Sequence, residues 1–183
     1  QTYTKEKAER LAAARGWHVK PEGPEGRTWR RVVPSPMPRR ILDLGTIRVL
    51  VNHHVIVVCA GGGGIPVVFD ELGRVHGIEA VIDKDLTGAL LAKQLGADAL
   101  LLLTDVPGIY RDWGGPEEEL LDELTVAELR ALELEAGSMG PKAEACARFV
   151  EQTGHFAAIG ALADAAAILD GKAGTRIRPD GEG

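Results

Sequence analysis

The chain has 183 residues, 45% of them apolar and 26% charged, with a formal charge of −6. That is enough chain for one domain with a sizeable core and a small appendage, and the composition is that of an ordinary globular protein. The acidic balance speaks against a general nucleic-acid or membrane-surface binder, because both require a basic face. Aromatic residues make up only 4%, so Val, Ile, Leu and Ala must build the core.

In chain order, residues 4–15 read as a helix capped by Thr4 and ended by Gly16. Trp17–Lys20 and Thr28–Val33 follow as two short extended segments. They are joined by Pro21-Glu22-Gly23-Pro24-Glu25-Gly26, which reads as a hairpin loop. The run Pro34-Ser35-Pro36-Met37-Pro38 forbids helix and acts as a stiff connector, placing a boundary near residue 40. Beyond it the rhythm becomes alternating strand and helix.

Val55–Ala60 is a continuous apolar run, as expected of a strand covered on both faces. Val75–Ile82 reads as extended, Asp83 as the cap of a helix reaching Leu95, and Ala99–Leu103 as a second buried strand. Thr125-Val126-Ala127-Glu128 matches a capping box for a helix to about Leu134. Pro141 opens a further helix ending near Gly154. Phe156–Ile159, Leu162–Leu169 and Thr175–Ile177 complete the pattern as strand, helix and strand. Such a rhythm argues a largely parallel sheet between helix layers. Cys59 and Cys146 are far apart in sequence and read as free, buried thiols.

Four segments carry residue types suited to chemistry. Gly61-Gly62-Gly63-Gly64 follows the first apolar run; four glycines let backbone N–H groups reach an anion without hindrance from Cβ, or simply form a flexible turn. Asp83-Lys84-Asp85 at a helix start is either a capped, solvated terminus or a phosphate site. In the second case Lys84 neutralises charge and Asp85 steers neighbouring ammonium groups. Gly137-Ser138-Met139-Gly140-Pro141-Lys142 sets a lysine against the positive end of a helix dipole, which makes sense when an anion binds there. Leu103-Thr104-Asp105-Val106-Pro107-Gly108-Ile109-Tyr110 leaves the carboxyl end of a strand, where open parallel sheets bind ligands, and Tyr110 could lie along a base. The five histidines show no metal-ligand spacing.

Taken in order, these segments resemble carbamate kinases of the amino-acid-kinase family. The matching stretches are Trp29-Arg30-Arg31-Val32-Val33-Pro34-Ser35-Pro36, Gly61-Gly62-Gly63-Gly64-Ile65-Pro66-Val67 and Glu79-Ala80-Val81-Ile82-Asp83-Lys84-Asp85. Leu103-Thr104-Asp105-Val106, Gly137-Ser138-Met139-Gly140-Pro141-Lys142 and Gly171-Lys172-Ala173-Gly174-Thr175 continue the series. The resemblance implies an open αβα sandwich with a largely parallel central sheet and a small β-hairpin protrusion. Residues 1–40 would belong to a substrate-closing subdomain and 41–183 to an incomplete nucleotide-binding domain, lacking the family's Gly-Gly-Asn region.

It further implies phosphoryl transfer between ATP and carbamate, with Mg²⁺ riding on ATP or ADP and no protein metal ligand. Lys84 and Lys142 would hold the transferring group, Asp85 would orient them, and the glycine tetrad would face carbamate or carbamoyl phosphate. Thr104, Asp105, Val106, Tyr110, Ser138, Met139 and Pro141 would form the nucleotide pocket. A homodimer, a cytoplasmic location and a setting in arginine metabolism come with the family. Pro107 and Arg111-Asp112-Trp113 depart from its usual pattern. The chain by itself would bind nucleotide weakly and not turn over. Two alternatives stand beside this: an amino-acid kinase with another carboxylate substrate, and a non-catalytic nucleotide-binding or regulatory module.

Overall fold

The computed structural model describes residues 2–23, 28–134 and 139–181. They form two compact units, one of residues 1–36 with 65–81 and one of residues 37–64 with 82–183. A division at residue 40 does not anticipate the return of 65–81 to the first unit.

In the first unit, β1 (Thr2–Tyr3) leads into α1 (Lys5–Arg15), which Thr4 caps by accepting the Lys7 amide and Gly16 closes in the left-handed conformation. β2 (His18–Glu22) and β3 (Thr28–Val32) pair antiparallel, and β1 adds to the other side of β3. The loop expected at 21–26 falls partly outside the described residues, from Pro24 onward. Arg31 stacks on Trp17, 4.5 Å from its ring centre, and pairs with Glu79 at 2.6 Å.

A second hairpin, β4 (Val67–Phe69) with β5 (Val75–Gly77), turns around Asp70. The Asp70 carboxylate accepts the amides of Leu72 and Arg74 and meets the side chains of His76 (2.9 Å) and Arg74 (2.7 Å). The His76 contact first, then the Arg74 bonds, pull its pKa down from 3.8 to about 2. A depressed carboxyl pKa contributes stability that is complete above the unfolded value and lost as pH falls through the folded one. The Leu72 and Arg74 amide resonances are therefore expected to titrate near pH 2, read by NMR, and Asp70→Asn should abolish that step. Titration near pH 4 would contradict the arrangement.

The second unit contains α2 (Leu44–Asn52), α3 (Lys84–Leu95), β6 (Ala99–Thr104), β7 (Ile109–Arg111), β8 (Glu119–Leu121) and β9 (Glu123–Thr125). α4 (Val126–Ala131), α5 (Met139–Thr153), β10 (Phe156–Ala161), α6 (Ala165–Leu169) and β11 (Thr175–Arg178) follow. Its main sheet runs β6-β10-β11-β9, with parallel pairing at β6/β10 and β11/β9 and one antiparallel junction between β10 and β11. Alternate side chains of each strand face opposite layers. Leu100, Leu102, Ala157, Ile159 and Ile177 join a core with Ala89 of α3, Leu129 of α4 and Phe149 of α5. Position 160, of opposite parity to 159, faces α6: a Cβ there would meet Ile168 Cδ1 at 2.6 Å. Helices on both faces make the αβα arrangement expected from the strand–helix alternation.

Local signals hold where they were strongest. Asp83 caps α3 by accepting the amides of Asp85 and Leu86, both at 2.9 Å, and Gly96 ends it. Thr125 and Glu128 complete a reciprocal capping box for α4. That helix stops at Ala131, three residues short of the expected end. The segment 162–169 begins as a 3₁₀ turn before α6.

The clearest correction concerns Val55–Ala60. These residues pair with no strand among the described residues, and Ile56 and Val58 are 93% and 97% exposed. An apolar run becomes a buried strand only when neighbours accept its backbone hydrogen bonds and cover its faces. Neither condition is met here. Cys59, inside this run, is exposed rather than buried; Cys146 is buried as expected. Helix α2 had no sequence assignment, because its β-branched Thr46, Ile47, Val49 and Val51 do not signal helix.

Candidate active site

The charged centre lies where α3 and α5 begin. Asp83 capping points the first turn of α3 so that Lys84 faces outward and Asp85 inward, with side-chain exposures of 59% and 9%. Lys142 stands in the first turn of α5, also buried. Its Nζ donates to Asp85 Oδ2 at 2.9 Å, and Lys84 Nζ lies 3.6 Å from the same oxygen. One carboxylate thus gathers two ammonium groups from different helices. The two ammonium groups outnumber the carboxylate they share, and the start of α5 adds the positive end of its dipole, whereas at α3 the capping Asp83 carboxylate offsets it. Such a centre attracts an anion through its ammonium groups and the positive end of the α5 dipole.

The glycine tetrad reaches the same place through a residue the sequence reading did not single out. Thr87 of α3, buried, shares its hydroxyl proton between the carbonyls of Gly63 (2.9 Å) and Asp83 (3.0 Å). Gly63, at φ +127°, lies so close to the chain before α3 that a Cβ would sit 1.9 Å from Ile82 O. The amides of Gly61 and Gly63 are spent on Cys59 O and Ala60 O, so Gly62 and Gly64 are the ones whose N–H groups could face an anion.

Beside this centre opens a cavity of about 480 Å³. Thr104, Asp105, Val106, Tyr110, Met139 and Lys142 line it, so five expected pocket residues and one expected lysine share one wall system. Pro141 is in the same turn of α5 but not on the wall. Ser138 and Gly137 lie outside the described residues. Gly108, inside the expected Leu103–Tyr110 segment, is also on the wall; Glu133 and Leu134 carried no sequence signal, and Asp112 and Trp113 stood out only as unusual. Tyr110 and Trp113 meet edge to face, with ring centres 4.8 Å apart. Asp112 shapes that turn: its carboxylate accepts the Glu117 amide at 2.9 Å and its backbone is left-handed, φ +50°.

Cys146, one helical turn after Lys142, is fully buried. Burial and the neighbouring Asp85 charge push its thiol far above the ordinary range, against the opposing pull of Lys142, so it stays protonated and unreactive. Among the described residues no group of His, Cys, Asp and Glu is arranged to hold a metal ion. Nor is any helix there long and apolar enough to cross a membrane.

The profile of the amino acid kinase family matches residues 6–160, which spans both charged helix starts and the whole strand–helix series up to β10. The chain belongs to the amino acid kinase family. Among curated relatives, the carbamate kinase of Haemophilus influenzae is 46% identical over 181 residues, covering 99% of this chain and 57% of its own length. The carbamate kinase of Pyrococcus furiosus is 46% identical over 181 residues, covering 97% of this chain and 57% of its own. A solved structure of the Giardia lamblia carbamate kinase bound to AMP-PNP superposes with a TM-score of 0.87 at 42% identity, covering 98% of this chain and 58% of that one. The chain therefore spans a little over half the length of the relatives it matches. Within this amino acid kinase chain, the described residues bring Lys84, Asp85, Lys142 and the tetrad together.

Proposed function

We propose that the protein carrying this chain is a carbamate kinase, transferring a phosphoryl group reversibly between ATP and carbamate. The observation that carries the reading is the position of Lys142: it lines the cavity and at the same time shares the Asp85 carboxylate with Lys84. A nucleotide whose base lies against Tyr110 and Met139 would direct its phosphates toward two ammonium groups held less than 4 Å from one oxygen.

Phosphoryl transfer asks for positioning and charge neutralisation more than covalent catalysis. Lys142 and Lys84 neutralise the equatorial oxygens as charge redistributes. Asp85 keeps the ammonium groups aimed at the reacting centre, which removes the need to reorganise them during reaction. The Gly62 and Gly64 amides suit the carbamate end, where an attacking oxygen is already anionic and no general base is required. Asp85 is occupied by lysines, and among the described residues no group of His, Cys, Asp and Glu is arranged to hold a metal ion. In this reading a Mg²⁺ ion arrives on the nucleotide phosphates and water, screening their charge. Ser138 and Pro141 belong to the nucleotide side of this proposal. So does the division of labour in which residues 1–40 serve substrate closure and 41–183 the nucleotide. A homodimer and a cytoplasmic location follow the same family resemblance.

The test is formation of ATP from ADP and carbamoyl phosphate by the protein, alongside a panel of acetylglutamate, aspartate and uridylate as phosphoryl acceptors. Turnover with carbamoyl phosphate alone is the expected result. Preference for another acceptor would move the protein within the family. ADP binding without transfer would favour the non-catalytic alternative.

A further inference from the structure

The Gly171-Lys172-Ala173-Gly174-Thr175 segment has no role in the site described above, yet its last residue is among the most tightly held polar groups of the second unit. Thr175 is fully buried, with 0% exposure. Its hydroxyl donates to Leu121 O at 2.6 Å and accepts the Ile109 amide at 2.7 Å. Leu121 ends β8 and Ile109 begins β7, so one side chain of β11 ties both strands of that small ladder to the main sheet.

Three glycines clear the space around this tie. A Cβ on Gly108 would lie 2.6 Å from Thr175 Oγ1. One on Gly160 would lie 3.0 Å from both Pro107 O and Gly174 Cα. Gly174, at φ +75°, would carry its Cβ 2.9 Å from Ile159 O. The Pro107-Gly108 loop therefore rests backbone to backbone on the end of β10 and on the turn before β11. Against Gly108 itself lie the Thr175 hydroxyl and Leu120 Cδ1, and the hydroxyl is the polar tie that sets the loop's height above the sheet. That loop is the middle of the cavity wall: Thr104, Asp105 and Val106 precede it and Tyr110 follows. Thr175 itself does not reach the cavity.

We propose that Thr175 is a positioning residue for nucleotide binding, acting through the Pro107–Tyr110 loop rather than by touching the ligand. The proposal rests on the nucleotide reading of the cavity. Valine has the shape of threonine, so packing alone does not call for a hydroxyl at this position. Replacing the hydroxyl by a methyl group leaves a buried amide at Ile109 and a buried carbonyl at Leu121 without partners, and each regains one only if the loop moves. A moved loop no longer presents Val106 and Tyr110 at the spacing the ligand needs, whereas the lysine centre at the starts of α3 and α5 is untouched. Binding should suffer and the chemical step should not.

Calorimetric titration of ADP into the protein and its Thr175→Val, Thr175→Ser and Gly108→Ala variants, with steady-state kinetics, tests this. Thr175→Val should raise the Kd and the nucleotide KM about tenfold, with kcat held within about twofold. Thr175→Ser, which keeps the hydroxyl, should bind as the unmodified protein does. Thr175→Val that melts earlier but binds ADP unchanged would overturn the proposal, leaving Thr175 a core residue only. Should Thr175→Val fail to fold, Gly108→Ala probes the same contact from the loop side: weaker ADP binding supports the proposal and unchanged binding overturns it. An unmodified protein that binds no ADP would overturn the nucleotide reading itself, and this inference with it.

Discussion

Replacing Lys142 with methionine is expected to lower kcat by about 10²–10³-fold, the usual loss when one preorganised donor to a developing anion is removed. Methionine keeps most of the buried stem, so the packing of α5 against the sheet survives and the lost quantity is the charge. A cost in stability accompanies it, because Asp85 is then a buried carboxylate whose 2.9 Å partner is gone. Removing one member of a buried pair costs about 3–5 kcal/mol. Here Lys84, already 3.6 Å from the same oxygen, should hold the loss below that range. Kinetics must be measured on variant shown by circular dichroism to be folded. Lys84→Met is expected to reduce kcat in the same direction with a smaller loss of stability, since its side chain is 59% exposed. A folded Lys142→Met protein with unchanged kcat would remove this residue from the reaction and with it the central argument for phosphoryl transfer.

Gly63→Ala should be the most disruptive change in the tetrad, with a loss of more than about 3 kcal/mol by urea denaturation. Two independent causes coincide. The added Cβ would stand 1.9 Å from Ile82 O, a backbone atom that cannot swing away, and φ +127° is a conformation that L-residues avoid. The four glycines are not equivalent. Gly61 and Gly64 have positive φ but open space around an added Cβ, so alanine there should cost about 1 kcal/mol or somewhat more. Gly62 has neither constraint, and Gly62→Ala should fall within about 0.5 kcal/mol of the unmodified protein. Equal losses at 62 and 63 would mean that the tetrad is held differently from the arrangement described. The physical role of this segment thus divides in two: Gly63 lets the chain press against the approach to α3, and Gly62 and Gly64 present the amides that remain.

Asp83 with a helix reaching Leu95, Thr125 with Glu128, and a strand over Ala99–Leu103 (observed to Thr104) follow from interactions within a few residues, and those were legible. Lys84, Asp85 and Lys142 were legible too, though for a different reason: a lysine at the positive end of a helix dipole is locally unfavourable unless something binds, and the stretches holding all three match the family's pattern. Thr87 gave no comparable signal; Thr175 was marked only by the family-like stretch Gly171–Thr175, and Asp112 and Trp113 only as a departure from the family's pattern. A threonine within a helix, or opening a strand, is ordinary by every local rule. Its importance arises from a backbone carbonyl 24 residues away for Thr87 and 54 residues away for Thr175.

Val55–Ala60 shows the same limit from the opposite side. Its composition specifies a willingness to be buried, and nothing more. Burial needs other backbone to complete the ladder, and the described residues do not supply it. The membership of residues 65–81 in the first unit is equally a matter of long-range pairing, carried by contacts such as Arg31 with Glu79 and the Val81 amide with Pro34 O.

By itself the sequence determined the capped starts of α1, α3 and α4, the αβα alternation and the residues chemically able to handle a phosphate, because caps, periodicity and glycine geometry act over one or two turns of chain. Only the tertiary structure decided that Lys84 and Lys142 share one carboxylate across 57 residues of sequence, and that Thr87 and Thr175 fasten the surrounding loops. Convergence of distant side chains on a single atom depends on how helices and strands pack, and no local preference encodes that distance.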